Sequence, residues 1–328
     1  MKRKWSAIGI ILLFVGTCII PAVAQNTEKP LSASRGNWLY VGGSGPGNYT
    51  RIQDAVDNAS DGDTVFVFSG LYNEGEIHIQ KAINVVGEDR NTTIINGSGT
   101  IFYVVDNVQI CNFSIGVQYW ISDCIYIVGN NNVVSDNIFC TNAFSGICIH
   151  YGKRNTIKGN VFSGLHIGIL LDGSVSTDIF SNMLTGNNIG IDIWPESRGN
   201  LIHDNIIIGN NVGVFSGFSY LNSIYLNNIS ENVEGIALFR GGLTQVTMNN
   251  ICDNSKAVSF EECGTTKWRE NYWGEALSRP KRIDGTIKIL IGGDWYGRRW
   301  WTPRYLEVSW IQFDWHPAQE PFDIPGMR

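Results

Sequence analysis

The sequence predicts an all-β fold, a solenoid of parallel β-helix coils each about 22 residues long. Three observations carry that prediction. Asn137, Asn160, Asn182, Asn205, Asn227, Asn249 and Asn271 follow one another at steps of 23, 22, 23, 22, 22 and 22 residues. Three residues before each stands Val134, Ile157, Ile179, Ile202, Ile224, Val246 or Trp268. Two after each stands Phe139, Phe162, Leu184, Ile207, Ile229, Ile251 or Trp273. Each unit then closes on Gly146, Gly168, Gly190, Gly213 or Gly235, followed by alternating apolar residues such as Ile147/Ile149, Ile169/Leu171 and Ile191/Ile193. Such alternation points one side chain inward and the next outward along a strand. A leucine-rich repeat has a similar period, but it requires helix-forming outer segments that this chain lacks.

The asparagines have a physical task at the corners. Asn tolerates a left-handed backbone, and its amide bonds nearby main chain. Stacked coil upon coil, the amides are expected to bond one another along the axis as a structural ladder. A second series, Asn142, Asn187, Asn210, Asn232 and Asn254, marks another corner, with Leu165 in place of one member.

The ends differ from the repeat. Residues 1–24 read as a secretory signal: Lys2, Arg3 and Lys4, then the apolar run Ile8 to Ile20, then the small-x-small site Ala22-Val23-Ala24. If uncleaved, the same segment would tether the protein to a membrane; otherwise no membrane contact is expected. Residues 25–36 read as a polar linker, 37–273 as the β-helix with its N-terminal cap, and 274–328 as a Trp-rich C-terminal cap or small appended module. In the N-terminal cap, Thr50-x-x-Gln53 is a capping-box pattern opening a short helix whose apolar side is Ile52, Ala55, Val56 and Ala59. Asp61-Gly62-Asp63 ends that helix as a turn. Beyond Gly274 the period stops. Ile287 to Ile291 and Glu307 to Phe313 read as short strands, and the tryptophans from Trp268 onward are expected to plug the last coil.

The run NYTRIQDAVDNASDGDTVFVFSGLYNE, followed by IQKAINVVGEDRNTTIING, resembles the N-terminal cap and first coils of the pectin-lyase-like right-handed parallel β-helix superfamily. The later Asn/Gly coils resemble the PbH1-type repeats of its NosD-like, carbohydrate-binding and sugar-hydrolysis branch. The resemblance spans residues 38–274. It implies a single-stranded right-handed solenoid and a carbohydrate connection, but no one activity, because the superfamily holds lyases, hydrolases, epimerases, adhesins and non-catalytic surface proteins.

Composition narrows the partners. The formal net charge is −6, with no basic run of the kind nucleic acid requires. Beyond the signal the chain holds Cys111, Cys124, Cys140, Cys148, Cys252 and Cys263; their spacing is irregular, and Cys252 with Cys263 is the nearest candidate pair.

Alternation also places a stripe of side chains on the outer face after each glycine. It contains Tyr126, Cys148, His150, Leu170, Asp172, Asp192, Trp194, Phe215 and Phe239. Aromatic and acidic groups in a shallow row are the equipment of carbohydrate recognition, so Tyr126, Trp194, Phe215 and Phe239 are the expected sugar-binding rings. Asp172 and Asp192 sit one coil and two residues apart, which puts their Cα atoms about 8 Å from each other. That separation suits a pair of carboxylates inverting at a sugar, with His150 beside them as the third catalytic candidate. The calcium-plus-base cluster of pectate-lyase-type sites and the three-aspartate group of polygalacturonase-type sites are absent at matching positions. The NosD-like label suggests copper, yet His78, His150, His166, His203 and His316 form no cluster at ligand spacing, and no metal site is expected. Calcium remains open near Asp61/Asp63 or Asp172/Asp192. The expectation is a monomeric exported cell-surface protein that binds polysaccharide or glycan. The alternatives are a polysaccharide hydrolase or lyase using Asp172 and Asp192, and an adhesive surface protein docking a protein partner through its Trp-rich end.

Overall fold

The computed structural model describes residues 36–118, 120–140, 143–296 and 300–324. The signal segment, nearly all of the linker and Asn142 lie outside the described residues. Three parallel sheets wrap the chain into a β-helix. The first sheet begins at Trp38–Val41 and runs to Lys267–Arg269, and the second runs from Gly70–Asn73 to Asn250–Cys252. The third, from Ile77–Ile79 to Lys256–Glu261, carries the residues that follow each glycine. Register is uniform: Ile147, Ile169, Ile191, Val214, Ile236 and Val258 align in one row. Apolar rows from all three sheets fill the axis, and Phe139 stacks on Phe162 at 4.8 Å with the rings nearly parallel.

The corner between the first two sheets holds a continuous amide ladder. In each step the backbone N–H and side-chain Nδ2 of one asparagine donate to the Oδ1 of the next; Asn160 meets Asn182 at 3.0 Å by both routes. The same Nδ2 donates to Val134 O, so each amide closes buried main-chain acceptors as well. The left-handed residue is the neighbour before the asparagine and not the asparagine itself. Asp136, Ser181, Asp204, Leu226, Met248 and Glu270 have φ between 51° and 58°, and Gly159 takes the same place. The asparagine's amide stabilises the turn that its neighbour makes.

A second ladder joins Asn187, Asn210, Asn232 and Asn254. A third, at the return corner, pairs Asn132 with Asn155 and Asn200 with Asn222; Thr177 takes one place between them, its N–H donating to Asn200. The recurrent glycines answer to a different demand. A Cβ on Gly190 would lie 2.6 Å from the Gly213 carbonyl oxygen of the next coil, and the same clash recurs at Gly168, Gly213 and Gly235. Close stacking of coils, and not a turn, therefore fixes glycine there.

Both ends depart from the sequence reading. The helix spans Ile52–Asn58 with its apolar side buried, but no side chain caps it locally. The Thr50/Gln53 box is replaced by a partner from the next coil: Ile52 N–H donates to Glu74 Oε1 at 2.8 Å, while Gln53 Oε1 accepts from His78 N–H. At the far end, Lys281–Tyr296 and Trp300–Asp314 form one long antiparallel hairpin in place of two short strands. Trp268 and Trp273 cover the last coil, whereas Trp310 and Trp315 are exposed. The side chains of Trp295, Trp300 and Trp301 lie outside the described residues. Fully buried Asp314 ends the first ladder by accepting from Asn271 N–H and Nδ2 and from Trp273 Nε1. The six described cysteines are all free; Cys252 lies on the second sheet, and Cys263 follows a strand of the third.

Candidate functional site

Two outward rows of the third sheet carry the candidate residues. The first aligns His78, Tyr103, Tyr126, Cys148, Leu170, Asp192, Phe215, Ala237 and Ser259. The second aligns His150 with Asp172, and Gly217 with Phe239 and Glu261. Rings run along much of this face. Tyr103 lies 5.9 Å from Tyr126, Tyr126 stacks 5.9 Å from His150, and Trp194 lies 6.0 Å from Phe215. His78 and Tyr103 extend the sequence-based stripe by two coils; the looser spacing of the early coils concealed them.

The three candidate catalytic residues fall into two groups. His150 Nδ1 donates to Asp172 Oδ2 at 2.8 Å, and both side chains are partly exposed. Asp192 is different. Strand alternation places it outward, yet it is only 2% exposed. Leu170 and Phe215 flank it in register, and Trp194 Nε1 donates to its Oδ2 at 2.7 Å. Its Oδ1 is buried without a hydrogen-bond partner. Burial disfavours the carboxylate and pushes the Asp192 pKa up to about 7, against a smaller opposing effect from the Trp194 bond. One acid is thus poised near neutrality beside an open His–Asp pair. A further acid, Asp123, lies on the same face; burial raises its pKa, and Ser145 Oγ donates to it at 2.6 Å.

Phe215 and Phe239 line a cavity of about 540 Å³ at the end of the stripe, together with Glu234, Lys256, Glu261 and hairpin residues Asp284 and Thr286. A second hollow of about 640 Å³, lined by Trp268, Trp310, Phe313 and Trp315, lies at the root of the hairpin. Asp61 and Asp63 are engaged elsewhere: Asp63 accepts from Asn37 and Ser60 N–H, and Asp61 from Ala82 N–H. On the first sheet, His203 stacks between Phe180 and Tyr225 and bonds Asp178 and Asp204 through its two ring nitrogens. The shared period of Phe180, His203 and Tyr225 was the available signal for that stack. Among the described residues no three His, Cys, Asp or Glu side chains come together as a metal-binding group.

Solved structures with this fold include the A-module of mannuronan C-5 epimerase AlgE6 from Azotobacter vinelandii. It is 14% identical, covering 69% of this chain and 82% of that one, with a TM-score of 0.55. The Dettilon tailspike protein is 11% identical over 78% of this chain and 73% of its own, at a TM-score of 0.52. DFA-IIIase from Arthrobacter chlorophenolicus A6 is 10% identical over 76% and 84%, at 0.52. At these identities the likeness is one of fold. Comparison with curated proteins finds no match. A family model described as periplasmic copper-binding protein (NosD) matches residues 56–287. Among the described residues the donor side chains do not gather into a copper centre. With that match covering more than half of its length, the chain belongs to the NosD family of right-handed parallel β-helix proteins.

Proposed function

We propose that this is an exported, extracytoplasmic β-helix protein that binds polysaccharide along the outer face of its third sheet. The observation that carries the reading is the run of Tyr103, Tyr126, Trp194, Phe215 and Phe239 beside hydrogen-bonding acids on one rigid surface. Aromatic rings stack on the apolar faces of pyranoses, and acids and histidine orient the hydroxyls. A parallel sheet holds these groups at fixed spacing, so little ordering cost remains on binding. Support for the compartment comes from the signal-like segment Met1 to Ala24 and from the family description as periplasmic. Neighbours of the same fold named for a mannuronan epimerase and for DFA-IIIase in complex with DFA-III support a saccharide ligand.

A second reading has its own observation. An acid with pKa about 7, one coil from the His150–Asp172 pair, is arranged for turnover at a sugar. In that reading Trp194 first swings off Asp192, which then donates a proton to the leaving oxygen, and Asp172, oriented by His150, activates water. A glycan array followed by product analysis of every hit separates the two. Binding without product leaves a binding protein. Reducing ends or unsaturated products that disappear in Asp172→Asn make it an enzyme. Absence of any glycan binding removes both readings and turns attention to a protein partner at the Trp-rich hairpin.

A further inference from the structure

The charges around the stripe narrow the ligand further than its rings do. Its lysines are already engaged: Lys256 Nζ lies 3.1 Å from Glu234 Oε1, and Lys288 of the hairpin pairs with Glu261. The same holds at the margins, where Arg240 is held by Glu262 and Arg282 by Asp284. Three acids of the face, by contrast, pair with no lysine or arginine among the described residues. Asp123 is met by Ser145 Oγ at 2.6 Å, Asp172 by His150 at 2.8 Å and Asp192 by Trp194 Nε1 at 2.7 Å. The nine-tenths-buried Asp192 also keeps an Oδ1 without a partner.

Resting on the glycan reading above, we infer that the stripe takes an uncharged polysaccharide and rejects polyuronates. A polyuronate carries one carboxylate on every sugar. Laid along this face, it would bring those charges against Asp123 and Asp172 at a partly desolvated surface, where like charges are weakly screened. The neighbouring lysines and arginines could turn to it only by leaving their own carboxylates; these are surface pairs, so the rejection rests mainly on the acids of the face. A neutral sugar meets no such penalty. Each hydroxyl both donates and accepts, so it can satisfy a partly exposed carboxylate such as Asp172. The exposed Lys153 and Arg198 belong to the corner row that follows these strands, where they align through Val175. They lie past the stripe and not on it.

The test is calorimetric titration of the purified protein with neutral hexamers (cello-, laminari-, manno- and xylohexaose) and acidic ones (mannuronate and galacturonate), at 20 and 150 mM salt. At least one neutral hexamer is expected to bind, with both acidic hexamers at least tenfold weaker at low salt and the gap closing as salt rises. Asp172→Asn should narrow the gap at low salt while thermal unfolding stays put. An acidic hexamer binding more tightly than every neutral one overturns the inference and leaves the glycan reading standing. Loss of that binding in Lys153→Ala or Arg198→Ala would place the anion in the corner row. If no hexamer of either kind binds, the glycan reading fails and the inference falls with it.

Discussion

Replacing Asp192 by asparagine should make the protein more stable at neutral pH. The side chain is buried, and its pKa stands at about 7 against 3.8 for the unburied group. Between those values the folded chain holds a proton that the unfolded chain has lost, so stability falls as pH rises through the window. Above pH 7 both states are ionised, and the full cost of burying the carboxylate is present. At 1.36 kcal/mol per unit, that cost is on the order of 4 kcal/mol. Asparagine keeps the size of the side chain and an oxygen to accept from Trp194 Nε1, but it has nothing to ionise. Urea unfolding of both proteins from pH 4 to pH 8 measures the difference. The two curves should run close together near pH 4 and separate steadily, with Asp192→Asn ahead by roughly 4 kcal/mol at pH 8. A difference that is flat across this range, or a variant that is the less stable one at pH 8, would refute the claim that Asp192 is an acid held neutral by burial.

Other perturbations test the scaffold. Asn205→Ala removes donors to Ile179 O, His203 O and Asn227 Oδ1, and leaves Asn182 N–H and Nδ2 without their acceptor. At about 1–3 kcal/mol per orphaned buried group, the urea midpoint should report a loss on the order of 4 kcal/mol; a loss below about 1 kcal/mol would contradict the ladder. Gly190→Ala forces a methyl against the Gly213 carbonyl and should cost about 1–3 kcal/mol in the same assay. Asp314→Ala strips the acceptor from Asn271 and Trp273, so hydrogen exchange should quicken first in the last coil, with the early coils unchanged.

The coil period, the inward rows and the first ladder's corner were legible because each repeats, and repetition separates signal from accident. What repeats imperfectly was lost. Thr177 interrupts the third ladder, so Asn132, Asn155, Asn200 and Asn222 did not register as one series. Single tertiary events left no local trace. Glu74 caps the helix from 22 residues away, and Asp314 closes the ladder from 43 residues beyond Asn271. The stripe itself followed from strand alternation, but alternation states only which way a side chain leaves the sheet. It could not show that Trp194 folds back onto Asp192, the contact that changes an outward acid into a buried one. The two short strands expected at Ile287 to Ile291 and Glu307 to Phe313 extend into one hairpin because Gly293 pairs with Pro303 and the ladder continues.

The proposed seat of the glycan is the ring-bearing face of the third sheet. Its most direct test is the affinity of the best array ligand for the wild type, Trp194→Ala and Phe239→Ala, measured by calorimetry with thermal unfolding as control. Each substitution should weaken binding about fivefold or more, since a lost stacking ring is worth about 1–3 kcal/mol; Phe239→Ala should leave the unfolding temperature little changed, whereas Trp194→Ala also uncovers Asp192 and is read on affinity. Unchanged affinity in both variants would mean that the ligand binds elsewhere on the molecule, and would contradict the account.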